Sequence, residues 1–242
     1  MNYVEYHKYC LNGRHCPIDI ENFTYKVLDF KFDIKAIHTE LFQDIDNIQS
    51  IDWIKKIPYQ QTYLDVLKPV LDPLLDNLEE NFYGCPIFID KLFIYRSIPF
   101  DTRTSSAIYH YDNTPPTQLK TIIYLNDVID DSDGPIEFCE NLIKYPTRRG
   151  PGPNEWTAPP NNSRLTDSEV ASYKKVKIYG TAGTSTLFYP SCVHRANPPY
   201  TGKIRDVINV LTQPTTNKED RYKYMSGFEA NGSPLMDPTK RR

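Results

Sequence analysis

Between Pro86 and about residue 213 the chain carries seven short runs of β-branched and aromatic residues, with no helical period between them. They are Phe88 to Tyr95, Ser105 to Tyr111, Lys120 to Leu125, Ile136 to Cys139, Lys174 to Tyr179, Ser185 to Tyr189 and Ile204 to Leu211. A parallel sheet needs a crossover helix between strands, so a series like this leaves a sandwich or an open barrel. Turn signals such as Asn126-Asp127 and Asp133-Gly134-Pro135 separate the runs. Twenty prolines and eighteen tyrosines fit a loop-rich β protein with aromatic surfaces.

Two helices are expected ahead of the strands. Asp33 to Ile48 places Ile34, Ile37, Leu41, Phe42 and Ile45 at spacings of three and four, with Asp33 as a plausible N-cap. Tyr63 to Phe82 carries a leucine-rich stripe that Gly84 should close. Pro69 and Pro73 lie inside that stripe, which predicts a kink or two shorter helices. The pattern divides the chain into an N-terminal arm with buttressing helices (1–85), a β core (86–213) and a polar tail (214–242), all one structural domain.

The first thirty residues are polar and irregular, and they include His7, Cys10, His15 and Cys16. A zinc site there is one reading. The Cys-x5-Cys spacing matches no usual finger, and a terminal arm packed on the domain is the simpler expectation. Five scattered cysteines point to a reducing compartment. A formal net charge of -3 argues against a nucleic-acid partner. No run is long and apolar enough for a membrane span and the first residues do not read as a signal peptide, so a cytoplasmic location is expected. The oligomeric state is not legible.

The residues with chemical potential centre on Tyr109-His110-Tyr111-Asp112-Asn113. On a strand, side chains two apart share a face and lie roughly 6.6 Å apart, so His110 and Asp112 point one way and the two tyrosines the other. If His194 returns to this strand, two imidazoles and one carboxylate occupy one side of a metal. The opposite positions stay open, the arrangement used for non-haem Fe(II) oxygen chemistry. A His-x-Asp alone is a weak signal; order and spacing strengthen it. Gly180-Thr181-Ala182-Gly183 precedes a strand and then Ser191-Cys192-Val193-His194-Arg195, and Arg205 follows His194 by eleven residues.

This segment, about residues 86 to 213, resembles the Fe(II)- and 2-oxoglutarate-dependent dioxygenases. Tyr124-Leu125-Asn126 is similar to the prolyl hydroxylase branch, where a tyrosine in this place helps to bind 2-oxoglutarate. The Gly-rich turn and distal histidine resemble the phytanoyl-CoA hydroxylase-like branch. The resemblance implies a mainly β fold with packed α-helices, a double-stranded β-helix of the jelly-roll or cupin type. It implies Fe(II) held by His110, Asp112 and His194, with 2-oxoglutarate and O2 as co-substrates. Arg205 would pair with the remote carboxylate of 2-oxoglutarate and Tyr124 would donate to it. Lys120 shares the parity of Tyr124, and Asn209 that of Arg205, so both should face the cavity. The implied activity is hydroxylation of an unactivated C–H bond in a small molecule, or in peptidyl or free proline. Many members carry Ser two residues after the Arg; here Val207 stands in that place.

Other readings stay open at this stage. Lys203, nine residues past His194, could replace Arg205 as the anchor, and Tyr124 could be only a core aromatic. Arg103, and Arg148, Arg149 and Trp156 in the Pro- and Gly-rich stretch from Tyr145 to Asn162, could bind an anionic substrate or be solvated loop residues. A metal- or sugar-binding cupin-like module, or a cupin-type metal hydrolase or isomerase, would share the barrel. The hydrolase would have no use for an arginine at its floor.

Overall fold

Alternation decides where each strand's residues go, and the register of the strands shows which face is which. A computed structural model describes residues 3–20, 22–29, 32–112, 114–115, 117–144 and 163–228. Three helices and nine strands organise them: α1 (Tyr3–Leu11), β1 (Tyr25–Val27), α2 (Lys35–Phe42), β2 (Ile54–Ile57), α3 (Tyr63–Leu78), β3 (Ile87–Ser97), β4 (Leu119–Tyr124), β5 (Ile136–Ile143), β6 (Lys175–Lys177), β7 (Ser185–Phe188), β8 (Cys192–Ala196) and β9 (Arg205–Pro214). A six-stranded antiparallel sheet runs β1-β7-β4-β9-β3-β2, and a smaller sheet runs β6-β5-β8. His110 bridges antiparallel to His194 on β8, which adds a fourth rung to the small sheet. From the 109–112 segment onward the chain passes from the small sheet to β4 in the large one, back to β5 and β6, then to β7, β8 and β9 in turn, crossing between sheets as a double-stranded β-helix does. The sheets are not closed on one another.

The outer face of the large sheet carries Leu119 and Ile123 from β4, and Ile208 and Val210 from β9. The leucines of α3 (Leu67, Leu71, Leu74, Leu75 and Leu78) are fully buried against that face. Each such side chain contributes about 1.5–3 kcal/mol by leaving water. The Tyr83 hydroxyl ties the helical layer to the sheet, donating to Thr212 O at 2.8 Å and accepting from Leu119 N at 2.9 Å. Between the sheets lie Ile122, Tyr124, Phe188 and Val207, facing Ile136 and Phe138.

Several elements differ from the sequence expectation. Pro69 and Pro73 stand inside one continuous α3, which passes into a π-helical turn over Glu79–Tyr83. Both prolines are on the exposed side, where the carbonyls they leave without an amide donor can turn to water. Gly84 closes the helix at φ 71°, and a Cβ there would meet His15 O at 2.8 Å. Ser105 to Tyr111 is not a strand. Ser105–Ala107 forms a 3-10 turn, and the chain pairs only at His110, with His194 and Arg164. The first thirty residues read as irregular, yet among the described ones α1 and β1 form. The alternative zinc reading finds no support among the described residues: His7 bonds Tyr83 O, Cys16 donates to the Ile18 and Phe82 carbonyls, and the one metal-capable group lies elsewhere. Beyond β9, Arg221 reaches Asp76 and Glu79 near the end of α3, and Ser226 and Phe228 make single bridges to Lys91 and Pro58.

Candidate metal centre

β8 and the 109–112 segment carry the ligand residues into the same space. His110 and His194 exchange backbone hydrogen bonds at 2.9 and 2.8 Å, so they are directly opposite one another, with ring centroids 4.4 Å apart. Asp112 N donates to Pro190 O, which returns the next residues of the motif to the same strand pair. The candidate ligand atoms of His110, Asp112 and His194 lie within 4.8 Å of one another, the only such group of His, Cys, Asp and Glu among the described residues.

The donor set fits a divalent metal. His110 Nδ1 lies 2.9 Å from Ile108 O, and His194 Nδ1 lies 2.8 Å from Cys192 O. A carbonyl can only accept, so both Nδ1 atoms carry the proton and both Nε2 atoms keep a lone pair. Those Nε2 atoms point at Asp112, 3.5 and 3.9 Å from its oxygens. Burial, reinforced by the neighbouring His110, lowers His194 to about 3, and the imidazole is therefore neutral at ordinary pH. Burial acts to raise Asp112, yet the Lys120 ammonium and the two imidazoles hold it well below the usual carboxylate range. Phe188 packs edge-on to the His194 ring at 4.9 Å, and Phe138 lies at 6.0 Å. The metal-facing side is thus backed by apolar surface that excludes water.

The second half of the site lies along the inner face of the large sheet. Lys120 pairs across the sheet with Leu211, Ile122 with Asn209 and Tyr124 with Val207, and Arg205 stands beyond Val207 on the same face. Lys120 Nζ is 2.8 Å from Asp112 Oδ2. Arg205 is only 2% exposed. Its guanidinium donates to Asn197 O at 3.2 Å and Ser97 Oγ at 3.1 Å, and lies 5.9 Å from the Trp53 ring centroid. Its Nε has no partner, and it makes no ion pair with any carboxylate of the described residues. A buried cation with only neutral acceptors is costly to leave so, and an anion is the natural occupant of the space before it. Asn209 is buried on the same face, with Oδ1 also unpartnered.

The remaining residues fall in different places. Lys203 lies at the surface, paired with Asp133 at 3.1 Å. The Tyr124 hydroxyl donates to Ile178 O at 3.0 Å and accepts from Ile136 N at 3.1 Å, so it already has a partner in each role. Burial pushes it up to about 12, with the Arg205 charge acting the other way. Val207, where a serine was noted as usual, packs in the apolar interior. Arg103 is half-exposed and 3.8 Å from Asp167. Arg148, Arg149 and Trp156 lie outside the described residues. Ser97 and Asn197, which position Arg205, carried no sequence signal. Ser97 is opposite Arg205 only because β3 pairs with β9 in this register.

The fold is similar to solved structures of iron- and 2-oxoglutarate-dependent enzymes. One is the epimerase SnoN in complex with Fe3+, alpha ketoglutarate and nogalamycin RO, at TM-score 0.58 and 16% identity, covering 86% of this chain and 83% of that one. Another is EctD from S. alaskensis with 2-oxoglutarate and 5-hydroxyectoine, at TM-score 0.54 and 16% identity, covering 84% and 79%. A third is HygX from Streptomyces hygroscopicus with nickel, 2-oxoglutarate and hygromycin B, at TM-score 0.50 and 12% identity, covering 81% and 85%. Likeness at these identities establishes the jelly-roll fold. No protein-family model matches the sequence, and no curated protein does.

Proposed function

We propose that this protein is an Fe(II)- and 2-oxoglutarate-dependent oxygenase acting on a small molecule. The observation that carries the reading is the pairing of two features in one sandwich. A His-Asp-His set converges at one place, and a buried arginine with no counter-charge among the described residues stands on the inner face of the large sheet, the face that also carries Lys120 to Asp112. A hydrolase or a simple metal-binding module accounts for the first feature and leaves the second without a purpose.

His110 Nε2, His194 Nε2 and one Asp112 oxygen would hold Fe(II) from one side. Arg205 would take the remote carboxylate of 2-oxoglutarate, with Asn209 and Tyr124 beside it and Lys120 near the metal end. With Fe(II), 2-oxoglutarate and O2 bound, O2 would be the oxidant: 2-oxoglutarate would give up two electrons on conversion to succinate and CO2, one oxygen atom entering succinate and the other serving to oxidise the substrate. The chain's own task is orientation and exclusion of water. The backbone carbonyls of Ile108 and Cys192 fix both rings in the metal-binding tautomer, and Phe138 and Phe188 keep the inner side dry.

The small-molecule preference rests on the ligands of two proteins of similar fold, nogalamycin RO in SnoN and hygromycin B in HygX. Hydroxylation of a C–H bond is the outcome expected from the sequence resemblance; SnoN, an epimerase, shows that the same fold supports another. Anaerobic mixing with Fe(II) and 2-oxoglutarate should give a weak visible charge-transfer band, and admission of air should give succinate. Neither band nor succinate, in a folded sample that binds metal, would return the protein to the hydrolase or binding-module readings.

A further inference from the structure

Directly behind the metal-facing side chains runs a second row that the proposed chemistry leaves without a role. In the small sheet Phe138 stands opposite His194, which in turn stands opposite His110, and these three point inward. One residue along, Glu137 stands opposite Arg195, and the antiparallel count sets Tyr109 opposite Arg195 on its other side. These three point outward, because neighbouring residues on a strand face opposite ways. From the metal reading above, we infer that Glu137 is a positioning residue that fixes the spacing of His110 and His194 and thereby sets the affinity of the centre for its metal.

The contacts join β5, β8 and the 109–112 segment through one carboxylate. Oε1 of Glu137 accepts from the Tyr109 hydroxyl at 2.6 Å, and Oε2 accepts from Arg195 Nε at 3.1 Å and Nη2 at 2.9 Å. The Arg195 guanidinium also lies 4.2 Å from the Tyr109 ring centroid, so the two groups that the carboxylate holds touch one another. Tyr109 is bonded covalently to His110, and Arg195 to His194, so the carboxylate clamps the residues flanking both imidazoles. It also reaches the anion anchor: Asn197 Nδ2 donates to Oε2 at 3.1 Å, while Asn197 O accepts from Arg205.

Stability alone explains this cluster poorly. Glu137, Tyr109 and Arg195 are all buried, and a buried ion pair commonly gains little over apolar side chains of the same shape. What an ionic and hydrogen-bonded row provides, and apolar packing does not, is a fixed distance. The 109–112 segment needs one, because outside its single bridges it has no regular strand to hold it. The other charged contact of Arg195 is Asp167 at 3.9 Å, which is largely exposed and too weak to replace Glu137.

Two variants, titrated with Co(II) and followed by the visible spectrum of the bound ion, test this. Tyr109→Phe removes one oxygen and leaves the ring under Arg195; Glu137→Gln keeps the shape and removes the charge. Both are expected to weaken Co(II) binding by about tenfold or more and to alter the band shape of the bound ion. The metal-free Tyr109→Phe protein should melt within a few degrees of wild type. Wild-type affinity in both variants, whatever their melting temperatures, would overturn the inference while leaving the metal site standing. Should the Gln variant fail to fold, the Phe variant decides alone. A wild-type protein that binds no Co(II) would remove the metal reading, and this one with it.

Discussion

The Lys120 ammonium lies 2.8 Å from Oδ2 of Asp112, so the one carboxylate of the metal centre is shared with a cation from the large sheet. The lysine side chain is 13% exposed and its ammonium lies 5.4 Å from the Phe188 ring centroid, which keeps it out of bulk water. With Oδ2 engaged, Asp112 has Oδ1, 3.5 Å from His110 Nε2, as the oxygen it would offer to a metal.

Two effects of Lys120 on metal binding oppose one another. It orients the carboxylate through a charge-assisted hydrogen bond, a contribution of about 1.5–3 kcal/mol. It also repels the metal. Coulomb's law for charges of +1 and +2 at about 5 Å, in an effective dielectric of about 20, gives roughly 7 kcal/mol. Repulsion is the larger, so Lys120→Met should bind Co(II) more tightly than wild type and 2-oxoglutarate less tightly. Weaker Co(II) binding in the titration would show that orientation dominates.

Arg205→Leu separates function from stability. The substitution removes a buried, unpaired charge from the ligand-free protein, so the apo form should melt at or above the wild-type temperature. Co(II) binding should be retained, because no ligand atom is touched. Binding of 2-oxoglutarate to the metal-loaded protein should fall by on the order of 100-fold, the usual loss when one partner of a desolvated charge pair goes. Unchanged 2-oxoglutarate affinity by calorimetry would remove Arg205 from the site and leave Lys120 as the remaining cation.

Gly134 supports the same anchor from behind. Its φ is 73°, and a Cβ there would come within 2.6 Å of Asn197 O, the carbonyl that holds Arg205. Gly134→Ala should therefore cost about 1–3 kcal/mol of stability and also weaken 2-oxoglutarate binding, through displacement of Asn197. Denaturant unfolding and co-substrate titration of the same variant check both halves. Loss of stability with wild-type co-substrate affinity would show that the loop relaxes without moving the arginine.

How much of this was legible beforehand follows from what each residue needs. The strands β3, β4, β5 and β9 announced themselves because alternation or β-branched runs survive in the sequence, and His110, Asp112 and His194 because ligand types recur in a known order. The pairing of those strands left no such trace. Ser97 beside Arg205, and Glu137 behind His194, are products of register, which one sequence does not display. Ser105 to Tyr111 looked like a strand by composition, yet a 3-10 turn takes its first half. In α3 the prolines were read by propensity alone, whereas seven buried side chains on the opposite face hold the helix together.

The five cysteines are free in the structure, and four of them are buried. Burial pushes the thiols of Cys10 and Cys139 up to about 11 and those of Cys85 and Cys192 up to about 12. Thiolate is the reactive form, so these four should be unreactive toward a disulfide reagent at pH 8 in the native protein and react fully once it unfolds. Fast native labelling of Cys192 would mean that β8 opens readily, against the packing around His194.

His7 predicts how the protein responds to mild acid. Its ring is buried, and Nε2–H donates to Tyr83 O at 3.0 Å, which couples α1 to the tyrosine that also bonds the large sheet. Burial lowers the His7 pKa below 6.5, with the Tyr83 hydrogen bond acting the other way. The unfolded chain, near 6.5, therefore takes up a proton before the folded chain does. Stability is full above about pH 6.5 and is lost as pH falls from there toward the folded value, at up to about 1.4 kcal/mol per pH unit for one group. In metal-free protein His194, lowered to about 3, adds to the loss from about pH 6.5 down to about pH 3, and below about pH 4.5 Asp76, Asp133 and Glu137, all lowered, add theirs. His7→Gln keeps a donor but cannot ionise. Urea unfolding between pH 7.5 and 5.5 should show a shallower decline for that variant, and an unchanged slope would mean that His7 opens to solvent before the chain unfolds.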